Sequence, residues 1–402
     1  MAATRTALVI GAGIAGTSTA LALQRAGITA TVHEARPAGG DDTGVFLTLA
    51  SNGIHALGLL DAADAVLATG FATPRIVLRS GTGRYLGAAA TGLVPPDGTT
   101  SHTLRRADLA RTLADTARAR DIPIQHGRRL VAAHDTGNGV LAEFDDGSQQ
   151  HADLLIGCDG VHSVTRRIID PAAPAPRYTG LVGTGGHATA VPTGAAAGDY
   201  EMIFGRRAFF GHVTTPDDQV WWFANLPQRP EPTRSDLRAS TGQQRRDQLL
   251  ALFADDAGPA TALLRAGTDP EPFSPTHTVP HLPHWHRGPM IVIGDAAHAP
   301  SPSSGQGASL AVEDAVVLAG CLRDHPDPAT AFARFEAARR PRVEQIIRRA
   351  ERVNSSKAAG PVGRRIRDAV MPAILRMTAD SAAVRRIHDH HIDWEERPRA
   401  SV

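Results

Sequence analysis

The sequence predicts an α/β fold in which a parallel sheet is interleaved with a second, sheet-rich domain and followed by helices. Three observations predict it. A short apolar run at residues 6–10 leads into a glycine-rich turn and then a helical pattern, the order of a βαβ unit. Residues 175–225 alternate in the manner of strands. Helical periodicity then dominates from about Gln306 to Leu322 and from Pro328 to about Lys357.

Composition and charge are those of an ordinary globular protein. Of 402 residues, 42% are hydrophobic and 21% charged, and the net charge of +1 gives no indication of a nucleic-acid partner. No apolar run is long enough for a spanning helix, so we expect no integral membrane segment. Two cysteines indicate no disulfide framework, which suits a reducing compartment. We therefore expect a cytoplasmic protein, as a monomer or a homodimer.

The first βαβ unit carries a glycine motif. Gly11, Gly13 and Gly16 lie between the strand at residues 6–10 and the following helix, which is the context that dinucleotide binding requires. Glycine permits a tight turn and close approach of the backbone to a pyrophosphate, which the helix N-terminus also attracts. The second strand ends at Glu34, whose carboxylate is placed to accept hydrogen bonds from ribose hydroxyls. The motif alone does not separate NAD from FAD.

The middle of the chain alternates strands with turns. Strands are predicted near 129–134, 139–144 and 152–158, separated by Gly-containing turns of the hairpin type. Residues 227–238 form a polar, Pro- and Arg-rich loop, and a helix is expected around 242–254.

Two later strand ends carry polar turns. One is Asp159–Arg166, which taken alone is weak evidence, because Asp-Gly pairs usually mark only a turn. The other is Gly294-Asp295, followed by a glycine-rich segment that begins a helix. The Asp295 carboxylate is suited to accept hydrogen bonds from a sugar-alcohol chain. The amides of Ala308 and Ser309 are suited to stabilise negative charge on a ring carbonyl.

The three segments together resemble the motifs of a known family. GxGxxG at residues 11–16, DGxxSxxR at 159–166 and GDAAH at 294–298 occur in the order found in class A flavoprotein monooxygenases, the para-hydroxybenzoate-hydroxylase-like family of FAD-dependent aromatic hydroxylases. The resemblance covers roughly residues 5–350. It is to the short form, without a thioredoxin-like C-terminal domain.

The resemblance implies a domain organisation. A Rossmann-like FAD-binding domain would comprise residues 1–70, 100–175 and 275–345, and a substrate-binding sheet domain 71–99 and 176–274. A helical segment, 346–402, would complete the chain.

The resemblance also implies which residues bind FAD. Those at the pyrophosphate are Gly11, Gly13, Ala15 and Gly16. Those at the adenosine are Glu34, Arg36, Leu130 and Val131. Those at the ribityl region are Arg106 and Asp295, while Asp159, beside Gly160, would serve both FAD and the nicotinamide cofactor. Those at the flavin ring are Gly44, Val45, Pro302, Gly305, Gly307, Ala308 and Ser309.

The implied reaction uses NADPH or NADH and O₂. Reduced flavin would form a C4a-hydroperoxide that hydroxylates a phenolic or polycyclic aromatic small molecule, and we expect a role in natural-product tailoring or antibiotic modification. A Baeyer–Villiger or epoxidising monooxygenase remains an alternative within the fold. A flavin halogenase is disfavoured because the tryptophan motif expected of that group is missing, and the residues around Trp221-Trp222 do not match it. A non-oxygenating FAD dehydrogenase or ligand-binding flavoprotein is the alternative of another class, and a plain NAD-dependent dehydrogenase would leave Asp295 without a role.

The substrate domain departs from the family pattern. Thr184-Gly185-Gly186-His187 stands where many members carry an aromatic-Arg-Gly segment. A base near a phenol would assist hydroxylation, and the candidates are His187 and His212. The predicted substrate contacts are Phe204, Phe210, Trp222 and Pro302. No metal site is expected at the histidines of residues 277–286, which lack a coherent ligand spacing.

Overall fold

The computed structural model describes residues 5–38, 44–91, 99–279, 281–357, 360–378 and 386–395. In chain order the strands are β1 Thr6–Ile10, β2 Thr29–Glu34, β3 Phe46–Leu49, β4 Gly70–Ala72, β5 Arg75–Ser80, β6 Tyr85–Ala90, β7 His102–Arg105, β8 Ile124–His126, β9 Leu130–Asp135, β10 Val140–Phe144, β11 Gln149–Ala152, β12 Leu154–Gly157, β13 Arg177–Thr189, β14 Asp199–Phe204, β15 Phe209–Thr214, β16 Gln219–Pro227, β17 Ser274–Thr278, β18 His286–Arg287 and β19 Met290–Val292. The α-helices are α1 Ile14–Arg25, α2 Ser51–Gly58, α3 Ala63–Leu67, α4 Arg106–Ala119, α5 Val164–Ile169, α6 Arg234–Ala239, α7 Gly242–Phe253, α8 Ala260–Ala266, α9 Asp295–His298, α10 Gly307–Asp324, α11 Pro328–Lys357 and α12 Pro361–Thr378.

A mainly parallel sheet positions the three sequence motifs. Its order is β18-β19-β12-β1-β2-β8, and β1 pairs in parallel with both β12 and β2. Strands β1 and β12 are apolar and buried, as parallel strands covered on both faces are. Because the carboxyl ends of parallel strands meet at one edge, the turns after β1, β12 and β19 lie side by side there. These are the turns that carry Gly11, Asp159 and Gly294.

The second large sheet has the order β17-β13-β16-β15-β14-β5-β6. Its back face carries Phe210 and Trp222, which are packed against Leu249 and Phe253 of α7 and Leu263 of α8. We call the opposite side the front face. On it Trp221, Phe223 and Tyr200 contact Phe46 of β3, a strand of the smaller sheet β3-β7-β4.

Local predictions were confirmed with two differences. The β9-β10-β11 hairpins and the helix near 242–254 are present. The strand predicted near 152–158 is β12, which starts at Leu154 because the chain bends at Asp153, and Ala152 instead ends the preceding strand β11. The Asp153 carboxylate accepts hydrogen bonds from the Thr6 amide at 2.6 Å and the Thr6 hydroxyl at 2.9 Å. The loop predicted over 227–238 contains α6, which a capping box begins.

Parts of the predicted C-terminal segment 346–402 lie outside the described residues. Within the part of the chain that the structure describes, no helix has the length and apolar character needed to cross a membrane.

Candidate active site

The turn between β1 and α1 depends on two close backbone approaches. A Cβ atom on Gly16 would lie 1.7 Å from the Gly11 carbonyl oxygen, and one on Gly11 would lie 2.6 Å from the Cys158 carbonyl oxygen. Around Gly13, by contrast, a Cβ would meet no atom within 4 Å. Among the described residues, no side chain caps the N-terminus of α1. The first amides of this helix therefore face open space over Gly13, which fits a pyrophosphate.

Glu34 lies at the end of β2 beside this turn. One oxygen of its carboxylate accepts a hydrogen bond from the Ala12 amide and the other from the Arg36 amide, both at 2.9 Å. The Gly127 amide donates to the Arg36 carbonyl at 2.9 Å, which brings the start of β9 alongside. On β9 the side chain of Leu130 is buried, and that of Val131 is half exposed. The structure thus brings together the residues predicted at the adenosine.

Asp159 is engaged within its own turn. Its carboxylate accepts hydrogen bonds from the Ser163 hydroxyl at 2.5 Å and from the amides of Val164 and Thr165 at 2.8 and 3.0 Å. These contacts hold the N-terminus of α5. Arg166, which is buried, donates to the carbonyl oxygen of Ala296 at 2.9 Å. The second motif therefore supports the third directly, a contact that the sequence did not indicate.

Asp295 lies between two glycines, Gly294 and Gly307. A Cβ on Gly294 would lie 3.2 Å from the Cβ of Ala15, and one on Gly307 would lie 4.0 Å from Oδ1 of Asp295. The Asp295 side chain stays accessible to solvent although protein surrounds it. That surrounding protein raises the pKa of its carboxyl, against the charges of His298 and Arg106. An accessible carboxylate among glycines is suited to accept hydrogen bonds from the hydroxyls of a ribityl chain.

A buried ion network stands behind the Asp295 turn. Oδ2 of Asp314 accepts a hydrogen bond from the Gly294 amide at 2.9 Å and lies 2.5 Å from Nε2 of His298, so one carboxylate holds both ends of the turn. Arg339, from α11, donates to Oδ1 of Asp314 and to Oε2 of Glu313, both at 2.6 Å. All four side chains are at most 3% exposed. These charges lower the pKa of both acids to about 2 in spite of burial.

The start of α10 and the segment before β3 complete the cofactor half of the site. The Ala50 amide donates to the Ser309 hydroxyl at 3.2 Å, and a Cβ on Gly53 would lie 2.5 Å from that oxygen. A Cβ on Gly44 would lie 3.2 Å from Cδ of Arg106. The N-cap residue of α10, Gln306, makes no side-chain capping hydrogen bond. Its first amides, at Gly307 and the following residues, are available to a ligand.

The front face of the large sheet is aromatic. The Phe46 ring lies 5.9 to 6.0 Å from the rings of Tyr200, Trp221 and Phe223. Burial raises the pKa of Tyr200, whose hydroxyl is protonated at neutral pH in any case. A Cβ on Gly185 would lie 2.3 Å from Cγ2 of Val45. The segment beside the predicted flavin ring therefore packs directly on the sheet.

Three predicted substrate-domain residues lie on the opposite side. Phe210 and Trp222 stack on the back face, with ring centroids 5.6 Å apart, under α7 and α8. His212 is fully buried beside them, with Nε2 3.4 Å from the Glu201 carboxylate. The reason is the alternation of side chains along a strand, which places neighbours such as Trp221 and Trp222 on opposite faces. These placements correct the prediction of Phe210 and Trp222 as substrate contacts and of His212 as a base.

The other predicted residues of this half lie apart from one another. His187 faces Trp221 across the β13–β16 pair, so it lies on the front face and is half-buried. Phe204 is also on the front face, but at its far end, under the Arg367 guanidinium of α12. Pro302 is exposed on the short turn before α10. Of these, His187 is the one that the structure brings to the aromatic cluster around Trp221.

Phe46, Tyr200, Trp221 and Phe223 were not predicted to belong to the site. The aromatic enrichment of the strands was visible, but alternation alone does not tell which face a sheet turns toward its neighbour. The histidines of residues 277–286 each lie next to a different carboxylate. The pairs are His277 with Glu231, His281 with Glu344, His284 with Asp170 and His286 with Glu336. Among the described residues, no group of acids, cysteines and histidines converges as a metal site would require.

Comparison with known proteins agrees with this geometry. Residues 4–350 match a family model described as an FAD binding domain. An FAD-dependent urate hydroxylase of Klebsiella pneumoniae is 31% identical over 86% of this chain and 88% of its own length. The 3-amino-4-hydroxybenzoate 2-monooxygenase PtnB3 of Streptomyces platensis is 29% identical over 92% and 93%. The crystal structure of Klebsiella pneumoniae HpxO with FAD and uric acid superposes with a TM-score of 0.82, at 26% identity, over 94% of this chain and 97% of that one.

Proposed function

The chain belongs to this FAD-binding family and is an FAD-dependent monooxygenase, and from that premise we propose that it hydroxylates a phenolic or polycyclic aromatic small molecule with NADPH or NADH and O₂. The observation that supports the proposal most strongly is a juxtaposition. The turns after β1, β12 and β19 meet at one edge of the parallel sheet. Phe46, which directly follows Gly44 and Val45, packs on the aromatic front face of the large sheet.

The residues present fit FAD. The open space at Gly13 and the uncapped α1 would hold the pyrophosphate, Glu34 the adenosine ribose, and Asp295 the ribityl hydroxyls. The amides at the start of α10 would face the ring. Bound FAD supplies electron transfer from the nicotinamide cofactor and activation of O₂. The gap left by glycines, rather than any single side chain, defines this half of the site.

The chain's own groups would do the rest. The α10 amides would stabilise negative charge at the ring carbonyl through the helix N-terminus. Phe46, Trp221 and Phe223 would hold an aromatic ring by stacking and exclude water from it. His187 is the candidate to accept a phenolic proton. His212 is not, because it is enclosed on the back face beside Glu201.

Oxygen incorporation tests the proposal. The purified protein should be yellow, with about one FAD per chain, and should oxidise NADPH or NADH slowly until a suitable phenol accelerates it. Mass spectrometry under ¹⁸O₂ should then show one labelled oxygen in the product. A colourless protein that takes up no FAD would refute the proposal. Accelerated oxidation without a labelled product would favour a dehydrogenase, and a lactone or epoxide product would favour the Baeyer–Villiger or epoxidising alternatives.

A further inference from the structure

Arg105 lies over the aromatic front face. It is the last residue of β7 and is paired in register with Phe46 of β3, so the two side chains leave the small sheet on the same side. Its Cζ lies 5.3 Å from the centroid of the Trp221 ring. Trp221 itself is 9% exposed. Arg105 and Phe46 therefore approach one tryptophan from neighbouring positions on the flavin side of the site.

Within the part of the chain that the structure describes, the Arg105 guanidinium has no acidic partner. Among the described residues, no carboxylate oxygen lies within 4.0 Å of it. Two acids of the adjoining helix α4 form ion pairs with other arginines. Asp108 pairs with Arg111 at 2.9 Å, and Asp115 pairs with Arg118 at 2.8 Å. A guanidinium that lies over an aromatic ring can direct its N–H groups past the edge of the ring, where they are available to a carboxylate.

The local sequence also works against an arginine at this point. Arg105 is the N-cap of α4 and makes no capping hydrogen bond. Ser, Thr, Asp or Asn would cap the helix, and a cation is unfavourable at its positive end. Residues that are locally unfavourable are expected at functional or strained sites, which favours a functional role for Arg105. The large sheet cannot supply a cation at Gly185 in place of Arg105, because the Val45 side chain fills the space in front of Gly185.

We propose that Arg105 is a specificity-determining residue that binds an acidic group of the aromatic substrate, a carboxylate or an ionised phenol, above Trp221. The inference rests on the proposed hydroxylation of an aromatic compound and names the charge of that compound. Arg105 belongs to the small sheet β3-β7-β4, so the substrate's acidic group would lie on the side of Arg106 and Phe46. Neutral aromatics of the same shape would bind more weakly.

Calorimetric titration of the FAD-loaded protein with salicylate and with salicylamide tests this. The two probes have nearly the same shape and differ in charge. The parent should bind salicylate at least tenfold more tightly than salicylamide, and added salt should weaken only salicylate. Arg105→Gln should abolish the preference, and Arg105→Lys should restore part of it. Arg118→Gln, which removes the same charge from the far end of α4, should leave the preference unchanged.

Equal affinities for the two probes, no binding of salicylate by the parent, or an undiminished preference in Arg105→Gln would overturn the inference. FAD content is measured for every variant, because Arg106 is adjacent. Calorimetry detects binding whether or not the enzyme turns over. Failure of the charge preference is therefore distinguishable from failure of the proposed function, which would appear as absent FAD or absent ¹⁸O in the product.

Discussion

The buried ion network behind Asp295 should stabilise the folded protein by a measurable amount. Arg339 is 1% exposed and donates to Asp314 and Glu313 at 2.6 Å each. Removing one partner of a buried pair costs about 3–5 kcal/mol. In Arg339→Met, Glu313 keeps Arg342 at 2.7 Å, which places the loss near 3 kcal/mol on this scale. With an unfolding entropy of ~2.1 cal/mol/K per residue, 402 residues convert this into a Tm lowered by about 4 °C.

The pH dependence of that loss is the sharper test. Because the network lowers the pKa of both acids to about 2, the stability it adds is fully present above their ordinary pKa values and is lost as pH falls toward 2. The Tm difference between the parent and Arg339→Met, followed by calorimetry, should therefore be constant near neutral pH and shrink below about pH 4. The matched control is Arg348→Met, whose exposed pair with Glu344 should contribute at most about 1 kcal/mol. A parent-like Tm, or a gap that widens in acid, would refute the reasoning.

Three further predictions concern the cofactor half of the site. Gly13→Ala should fold with a near-parent Tm but lose FAD affinity, whereas Gly16→Ala should fail to fold stably, since its Cβ would overlap a carbonyl oxygen; circular dichroism and FAD titration separate the two. Asp295→Ala should weaken FAD retention in dialysis more than Glu34→Ala, because it removes a contact close to the ring; equal losses would contradict the placement. Cys158 should resist a thiol reagent until the protein unfolds, because burial raises its thiol pKa; rapid labelling of the native protein would count against its enclosure.

The cofactor half of this site was predictable because its determinants are local. Gly11, Asp159 and Gly294 each follow a buried strand, and the parallel order of those strands brings their ends together without further information. The support behind them was not predictable. Arg339 reaches Asp314 from 25 residues away, and nothing in the pattern of α11 distinguishes it from the arginines that face solvent.

The aromatic residues of the substrate half could not be predicted, for a different reason. Side chains alternate along a strand, so Trp221 and Trp222 must point to opposite faces, yet the periodicity is the same whichever face meets the flavin layer. The choice is made by α7 and α8, which cover Trp222, and by Phe46, which covers Trp221. Those contacts join segments far apart in the chain, so they are properties of the assembled layers and not of the strand.

The two halves are joined where Val45 enters the space in front of Gly185. A side chain at Gly185 would displace Val45, and with it Gly44 and Phe46, which lie between the predicted flavin site and the sheet. A cation placed on the sheet at Gly185 would therefore disturb the cofactor half as well. The cation of Arg105, which belongs to the small sheet β3-β7-β4, requires no such displacement. The packing of Val45 in front of Gly185 is therefore compatible with the role that we propose for Arg105.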